Sequence, residues 1–278
     1  MRRDAPGPWS MDALRALPRP QLFDVDAASW RRRLTTWFES ETGRTLYPAQ
    51  VETLLIDTLA YAMSVLGEEA QLVVEQHLVV FAGATGLGVL SGNRSTPRLP
   101  AAKARATIAF SLDAPRDAAT LIPAGARVAG DGATFATLDL CLIRAGALSA
   151  EVVAEALDVG SAANGLVEGR IATLLDPLEG VSAANVTVSS GGADVEELEA
   201  WRLRIANAYE RISTGGSRAW YRETAMGVSA ALLDCAVVRP SPCHVDLYLL
   251  TREGGAGADL CAAVAAAFDT VEALDTRF

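Results

Sequence analysis

Two glycine spacings raise the question of phosphate chemistry. Gly83 and Gly88 stand in the G-x4-G spacing of a phosphate loop. Such a loop needs a lysine to reach the terminal phosphates and a hydroxyl to hold magnesium. Val89 and Leu90 occupy those two positions, so a bound phosphate would lack its counter-charge. Gly86-x-Gly88 lacks the third glycine of a dinucleotide fingerprint, and both spacings follow a helical stretch rather than a strand. Acid–base chemistry is limited by the presence of only two histidines, His77 and His244. His77 falls on a long helical stretch and reads as a surface or packing residue. Cys243-His244 with Asp246 could pair a thiol with a base and its orienting carboxylate. On a strand, however, successive side chains point to opposite faces, and Cys243 and His244 would not share a site. The acidic run Asp194, Glu196, Glu197 and Glu199 could supply paired carboxylates or calcium ligands. Carboxylates in the first turn of a helix complement its dipole and cap its amides, which already accounts for them. Asp176 and Glu179 flank Pro177-Leu178 and read as a polar loop. No GxSxG elbow and no HExxH pair occurs. The expectation is a protein without catalytic, cofactor-binding or metal-binding residues, and not an enzyme.

Bulk properties bound the remaining classes. A chain of 278 residues, half of them hydrophobic, has ample material for one large or two to three small cores. A net charge of −10 opposes binding to a phosphate backbone or an anionic membrane surface. Arg31-Arg32-Arg33 is a local exception and reads as a solvated helix face. Cys141, Cys235, Cys243 and Cys261 show no CxxC spacing and are expected to be reduced thiols in or near the core. Met1 to Pro20 mixes charges and prolines rather than forming an apolar leader. The most apolar stretch, Val51 to Ala84, is interrupted by Glu52, Asp57, Glu68, Glu69, Glu75 and His77, too often for a membrane span. Synthesis and folding in a cytoplasm, with no membrane insertion and no nucleic-acid partner, are therefore expected.

The elements that would carry any site follow from spacing. Residues 1–25, with Pro6, Pro8, Pro18 and Pro20, read as an extended tether rather than a packed element. Asp26 offers an N-cap for a helix whose Trp30, Leu34, Trp37 and Phe38 form one stripe. Pro48 suits the first turn of the next helix. Val51, Leu54, Leu55, Leu59, Ala62 and Leu66 then continue helical spacing as far as Phe81, unless Gly67 divides the run. This stripe is wide for a surface helix and calls for another helix against it. Gly83 to Arg98, with its glycines and Pro97, is expected to end helical structure. Strands are expected at Thr107 to Leu112, Thr134 to Leu140, Glu151 to Ala156 and Arg170 to Leu174, with a turn at Ile122 to Gly125. Asn164-Gly165 is a turn signal. Gly191-Gly192 gives the chain freedom to swing into a helix spanning Val195 to Ile212, ended by Ser213 to Gly216. Asp194 and Glu197 have capping-box spacing for that helix. Its apolar stripe is Val195, Leu198, Trp201, Ile205, Tyr209 and Ile212, opposite a charged face of Glu196, Glu199, Arg202, Arg204 and Arg211. A helix from Trp220 to Met226, strands at Cys235 to Val238 and Val245 to Leu250, and a helix from Asp259 to Phe268 complete the chain.

The ordered series from Asp158 to Ile205 has a further meaning. Gly160, Asn164-Gly165, Gly169-Arg170-Ile171, Leu178-Glu179-Gly180-Val181, Asn185 and Gly191-Gly192 resemble the baseplate J proteins of contractile phage tails. The likeness extends from about Thr53 to the end, through the A-T-G turn at Ala84 to Gly86, Arg202-x-Arg204-Ile205, Ser213 to Ser217, Tyr221, Asp234, Val237, Pro240-x-Pro242 and Val245. Cys243 stands where the family usually has glycine, so the local turn is expected to differ. Glu272 to Phe278 matches the family's ending only loosely, and the last domain is expected to be abbreviated.

The resemblance implies a structural component of a six-fold baseplate, linking wedges around the hub and passing baseplate opening to the sheath. It implies partners in other copies of this chain, a tail protein I-like wedge subunit and a lysozyme-like wedge protein, with hub, spike and sheath nearby. The same role in a bacterial tail-derived injection machine or tailocin is the first alternative. A glycan- or receptor-binding module is another, opposed by the scarcity of aromatics in 104–190, where Phe110 and Phe135 stand without a tryptophan. The fold class expected is α+β. Residues 1–25 form the tether, 26–100 a helical domain, 101–192 a β-rich domain, 193–231 a helical connector and 232–278 a small α/β domain. The residues expected to meet another subunit are Trp30, Leu34, Trp37, Phe38, Leu54, Leu55 and Leu59, because aromatic and large apolar side chains anchor such contacts. Packing within the subunit is the competing reading.

Overall fold

The computed structural model describes residues 9–212 and 216–275, so Ser213 to Gly215 in the expected helix end and Thr276 to Phe278 in the family-like ending lie outside the described residues. The fold is α+β, and the described chain divides between Ser95 and Thr96 into two compact units.

The first unit is helical. Helix α1, Met11–Arg15, is capped by Ser10. Helix α2, Ala27–Thr42, begins where Asp26 accepts the amides of Ala28 and Ser29 and ends at Gly43 in the left-handed conformation. Helix α3, Val51–Glu75, runs unbroken through Gly67. That glycine serves close packing instead of a break, since a Cβ there would lie 2.6 Å from the Asp24 carbonyl oxygen. Of the tether expected over residues 1–25, residues 1–8 lie outside the described residues, and the part just before α2 is held along α3. Arg19 forks onto Glu75 at 2.8 and 2.5 Å, and Gln71 binds the Pro20 carbonyl at 2.6 Å and the Leu22 amide at 2.9 Å. Prolines remove backbone donors, but they do not stop the remaining backbone groups from docking onto side chains. Gly83 to Arg98 departs from expectation as well, because Ala84–Asn93 forms helix α4. Gly86 allows that helix close approach: a Cβ there would sit 2.6 Å from the Gln76 carbonyl oxygen. Burial of Leu87 and Ser91 helps offset the roughly 1 kcal/mol that each glycine costs a helix.

The second unit opens with a barrel-like sheet. Strands β1 Lys103–Leu112, β3 Arg127–Gly130, β4 Ala133–Thr137, β6 Ser149–Val159, β7 Thr173–Leu174 and β8 Val181–Asn185 take the order β7-β3-β4-β6-β1-β8, antiparallel throughout. Strands β2 Thr120–Ile122 and β5 Cys141–Ile143 form a separate pair. Inward residues alternate along β1, placing Ala104, Ala106, Ile108, Phe110 and Leu112 against Val128, Phe135, Ile143 and Ala154 in one core. Each expected strand overlaps an observed one, although that at Thr134 to Leu140 ends at Thr137 and that at Arg170 to Leu174 is reduced to Thr173–Leu174; β2, β3, β5 and β8 were not anticipated, being short or alanine-rich.

Helix α5, Leu198–Ala206, starts three residues later than expected and gives way to a 3-10 turn, Ala208–Ile212. The delay has a physical cause. Ala193 exchanges both backbone bonds with Ala102 at 2.8 and 3.0 Å, and the Glu196 amide binds the Leu99 carbonyl at 3.1 Å. A backbone committed to this extended pairing cannot also begin a helix. Helix α6, Arg218–Met226, then packs on the three-stranded antiparallel sheet of β9 Leu232–Val238, β10 Asp246–Thr251 and β11 Gly254–Gly255, which helix α7, Ala258–Asp275, follows. Ala225, Leu232, Cys235, Val237 and Val264 form that core, with Trp220, Tyr221 and Phe268 ring to ring at 4.8 to 5.6 Å. Cys243 and His244 lie in the turn before β10 rather than on a strand. Cys243 adopts φ 64°, the left-handed region that favours glycine, so the turn keeps a glycine-type backbone despite the cysteine.

Candidate assembly surfaces

The residues of the glycine- and asparagine-rich series serve the backbone. Asn185, 2% exposed, accepts the Ile171 amide at 2.8 Å and donates to the carbonyls of Val167 and Thr187 at 3.0 and 2.9 Å. Its own amide and carbonyl bind the Ile171 carbonyl and the Gly169 amide. These bonds join the chain before β7 to the end of β8, closing much of the seam between the two end strands. Asn164 imitates a strand in the same way, donating to the Gly192 carbonyl and accepting its amide, both at 2.8 Å. Gly192 admits that approach because a Cβ would meet the Gly160 carbonyl oxygen at 2.3 Å. Asp194 forms no capping box with Glu197: it accepts the Ser161 hydroxyl at 2.7 Å and the Ser161 amide at 3.2 Å, which holds its carboxyl below the usual range.

The face of α5 expected to be solvated is instead the most elaborate polar cluster of its unit. Glu196, Arg202 and Arg204 are buried. Arg204 forks onto Glu196 at 2.6 and 2.7 Å and reaches the Pro97 carbonyl at 2.7 Å. Glu196 Oε2, one of the two oxygens that Arg204 grips, also accepts the Leu99 amide at 2.9 Å, while Arg98 binds the Glu196 carbonyl at 2.7 Å. Trp201 donates its indole N–H to the Thr96 carbonyl at 2.8 Å, and Arg211 meets the Thr96 hydroxyl. Residues 96–99 are thereby clamped to α5. The signal for this lay in spacing, since Arg204 sits three residues after Trp201 and shares its inward face. Of the expected stripe, Trp201 and Ile205 are buried, whereas Val195 and Tyr209 are exposed.

A cavity of about 210 Å³ adjoins this clamp, lined by residues 192–197, α5, α6, the turn into β9 with its first residues, and the turn at 252–253. Glu223 of α6 lines it, only 7% exposed, and burial pushes its carboxyl up to about 7 against the pull of Arg222, Arg211 and Arg204. Sequence reasoning passed over Glu223, because a single glutamate in a short helix looks solvated.

The seven residues expected at an interface all lie on α2 and α3. Trp30, Leu34 and Phe38 are half-buried, and the Trp30 indole donates to the Asp24 carbonyl at 2.9 Å beneath the Arg33 guanidinium. Trp37, Leu54, Leu55 and Leu59 are 63%, 62%, 61% and 55% exposed. The seam that α3 buries is mostly small, comprising Ile56, Ala60, Ser64 and Gly67. Its larger apolar side chains, Tyr61, Leu66, Leu72 and Val73 among them, remain exposed.

Among the described residues no group of three or more His, Cys, Asp or Glu is placed to hold a metal ion, and no helix is long and apolar enough to cross a membrane. The four cysteines are free, Cys141 and Cys235 buried, Cys243 and Cys261 exposed, and burial raises both inner thiols.

The signature residues of the barrel-like domain thus pin backbone to backbone and build a structural frame. Residues 107–192 match the family model of the Baseplate J-like protein barrel domain. Among solved structures the protein is similar to a chain of the anti-feeding prophage (AFP) baseplate in its six-fold symmetrised cryo-EM structure, at 12% identity and a TM-score of 0.34. That likeness covers 81% of this chain and 62% of the other, so the chain spans less than two thirds of its length. No curated protein matches.

Proposed function

We propose that this chain is a wedge component of a contractile-tail baseplate, linking wedges around the hub and coupling baseplate opening to sheath contraction. The observation that carries the reading is the bare apolar surface of α3, where Leu54, Leu55, Leu59, Tyr61 and Leu66 each stay more than half exposed. A helix apolar on nearly all sides is a helix that another element covers, and exposed apolar patches of this kind mark interaction sites. The partners that fit are other copies of this chain, a tail protein I-like wedge subunit and a lysozyme-like wedge protein, assembling in the host cytoplasm. A phage tail and a bacterial tail-derived machine would use the same surface in the same way.

Co-expression with the two proteins encoded beside it, followed by size-exclusion chromatography with light scattering, tests this directly. A stable hetero-complex containing more than one copy of the chain is the expected result. A monomer that ignores both neighbours would sink the wedge role.

A further inference from the structure

The cavity beside α5 holds a carboxylate without a counter-charge in bonding distance. Five carboxylates line it against three guanidinium groups. Most of these groups are engaged: Glu196 and Arg222 are ion-paired with Arg204 and Asp234, Asp194 accepts the Ser161 hydroxyl and feels Arg252, and Glu253 accepts the Asn164 amide at 2.9 Å. Glu223 differs. Among the described residues its carboxyl makes no hydrogen bond and no ion pair, although the residue is only 7% exposed. Buried charges are ordinarily paired, because leaving water without a partner is unfavourable. Leu203, Met226 and Leu232 supply apolar walls beside it. At about 210 Å³ the space falls below the ~300 Å³ at which pockets for drug-sized ligands begin. A long aliphatic stem ending in a cation fits these walls, since such side chains bury the stem and deliver the charge to a polar end.

We propose that this cavity is a socket for one arginine or lysine side chain presented by a neighbouring baseplate protein, with Glu223 as its counter-ion. The partner's identity as a baseplate protein rests on the function proposed above; the cation chemistry does not. Arg204 and Arg222 do not bar the entry, because Glu196 and Asp234 already neutralise them. Arg211 is held at the Thr96 hydroxyl, and Glu210, on the same 3-10 turn, adds negative charge toward Glu223. Exposed Glu197 at the start of α5 favours approach of a cation. Binding would expel the proton that burial keeps on Glu223, so the socket grips more tightly as pH rises through about 7.

The test uses the full chain and three probes: Nα-acetyl-arginine amide, its lysine counterpart, and the uncharged Nα-acetyl-citrulline amide, each followed by NMR. Saturable shifts of the Ala200, Leu203 and Met226 signals are expected with at least one cationic probe, with citrulline at least about tenfold weaker. Glu223→Gln keeps the shape, removes the charge and is expected to lose at least about tenfold in affinity. The wild-type affinity should also rise between about pH 6 and about pH 8, while that of Glu223→Gln stays flat. No saturable shift with either cation up to about 50 mM, or equal binding by Glu223→Gln, would overturn the socket. If the cation binds yet no complex forms with the neighbouring proteins, the wedge role falls and the socket stands. If the complex forms and no cation binds, the reverse holds.

Discussion

Glu223 shows how one residue ties stability to pH. Its folded carboxyl is pushed from 4.5 up to about 7, chiefly by burial. Below 4.5 both folded and unfolded chains are protonated there, and the group is neutral to folding. Between 4.5 and about 7 only the folded chain keeps the proton, so stability falls as pH rises. Above about 7 the loss is complete, on the order of 3 kcal/mol. Glu223→Gln removes that slope. Chemical denaturation should find the variant more stable than wild type at about pH 8 and close to it at about pH 4.5. Parallel stabilities across the range would show that the site is wetter than its burial implies. Asp176 acts in the opposite sense: Arg127 holds it down to about 2, and its contribution is present above 3.8 and fades as pH falls toward 2. Because both Asp176 and Arg127 are exposed, water screens that pair and its effect is small.

The elements of the second unit are tied by side chains standing in for backbone. Asn185 is the clearest case, since β7 and β8 are too short to close the sheet by a ladder of their own. Asn185→Ala would strip buried amide and carbonyl groups of their partners, each worth about 1 to 3 kcal/mol when left unmet. The expected loss is on the order of 3 kcal/mol, with the Ile171 amide exchanging its hydrogen faster than the β1–β6 ladder. A loss below about 0.5 kcal/mol, the range of ordinary surface changes, would show that the seam does not depend on this side chain. The asparagine and glycine series was legible as turns and as a resemblance to the barrel-domain family. Its work was not legible, because Asn164 and Gly192 meet across 28 positions and Asn185 and Ile171 across 14. Such pairings exist only once the sheet has curled. The late start of α5 has the same origin: capping-box spacing at Asp194 and Glu197 is a local signal, and the Ala102–Ala193 bridge and the Ser161 contact override it.

At the scale of the molecule, the helical unit carries more exposed apolar surface than its own fold uses. Leu55 and Leu59 lie one turn apart on α3, outside its buried seam. Replacing both with Asp should move the thermal midpoint of the isolated chain only slightly, as surface changes shift stability by about 0.5 kcal/mol or less. The same pair should abolish the hetero-complex, because two carboxylates would be buried without partners in the interface. Unfolding of the double variant would instead place these leucines in the subunit's own core and remove the main support for the assembly reading.

Period and punctuation in the sequence determined helices α2 and α3, the cap at Asp26 and the alternating core face of β1, because each is set by neighbours a few residues apart. The residue series from Gly160 to Gly192 carried the likeness to the barrel-domain family model as well. Tertiary structure alone decided that Gly67 and Gly86 are contact points, that residues 19–23 are held along α3, and that Arg204 and Glu196 are inside. It also decided that Glu223 faces a cavity. The physical reason is shared: burial and hydrogen bonding depend on which distant backbone arrives at a side chain, and no local pattern of polarity encodes that arrival.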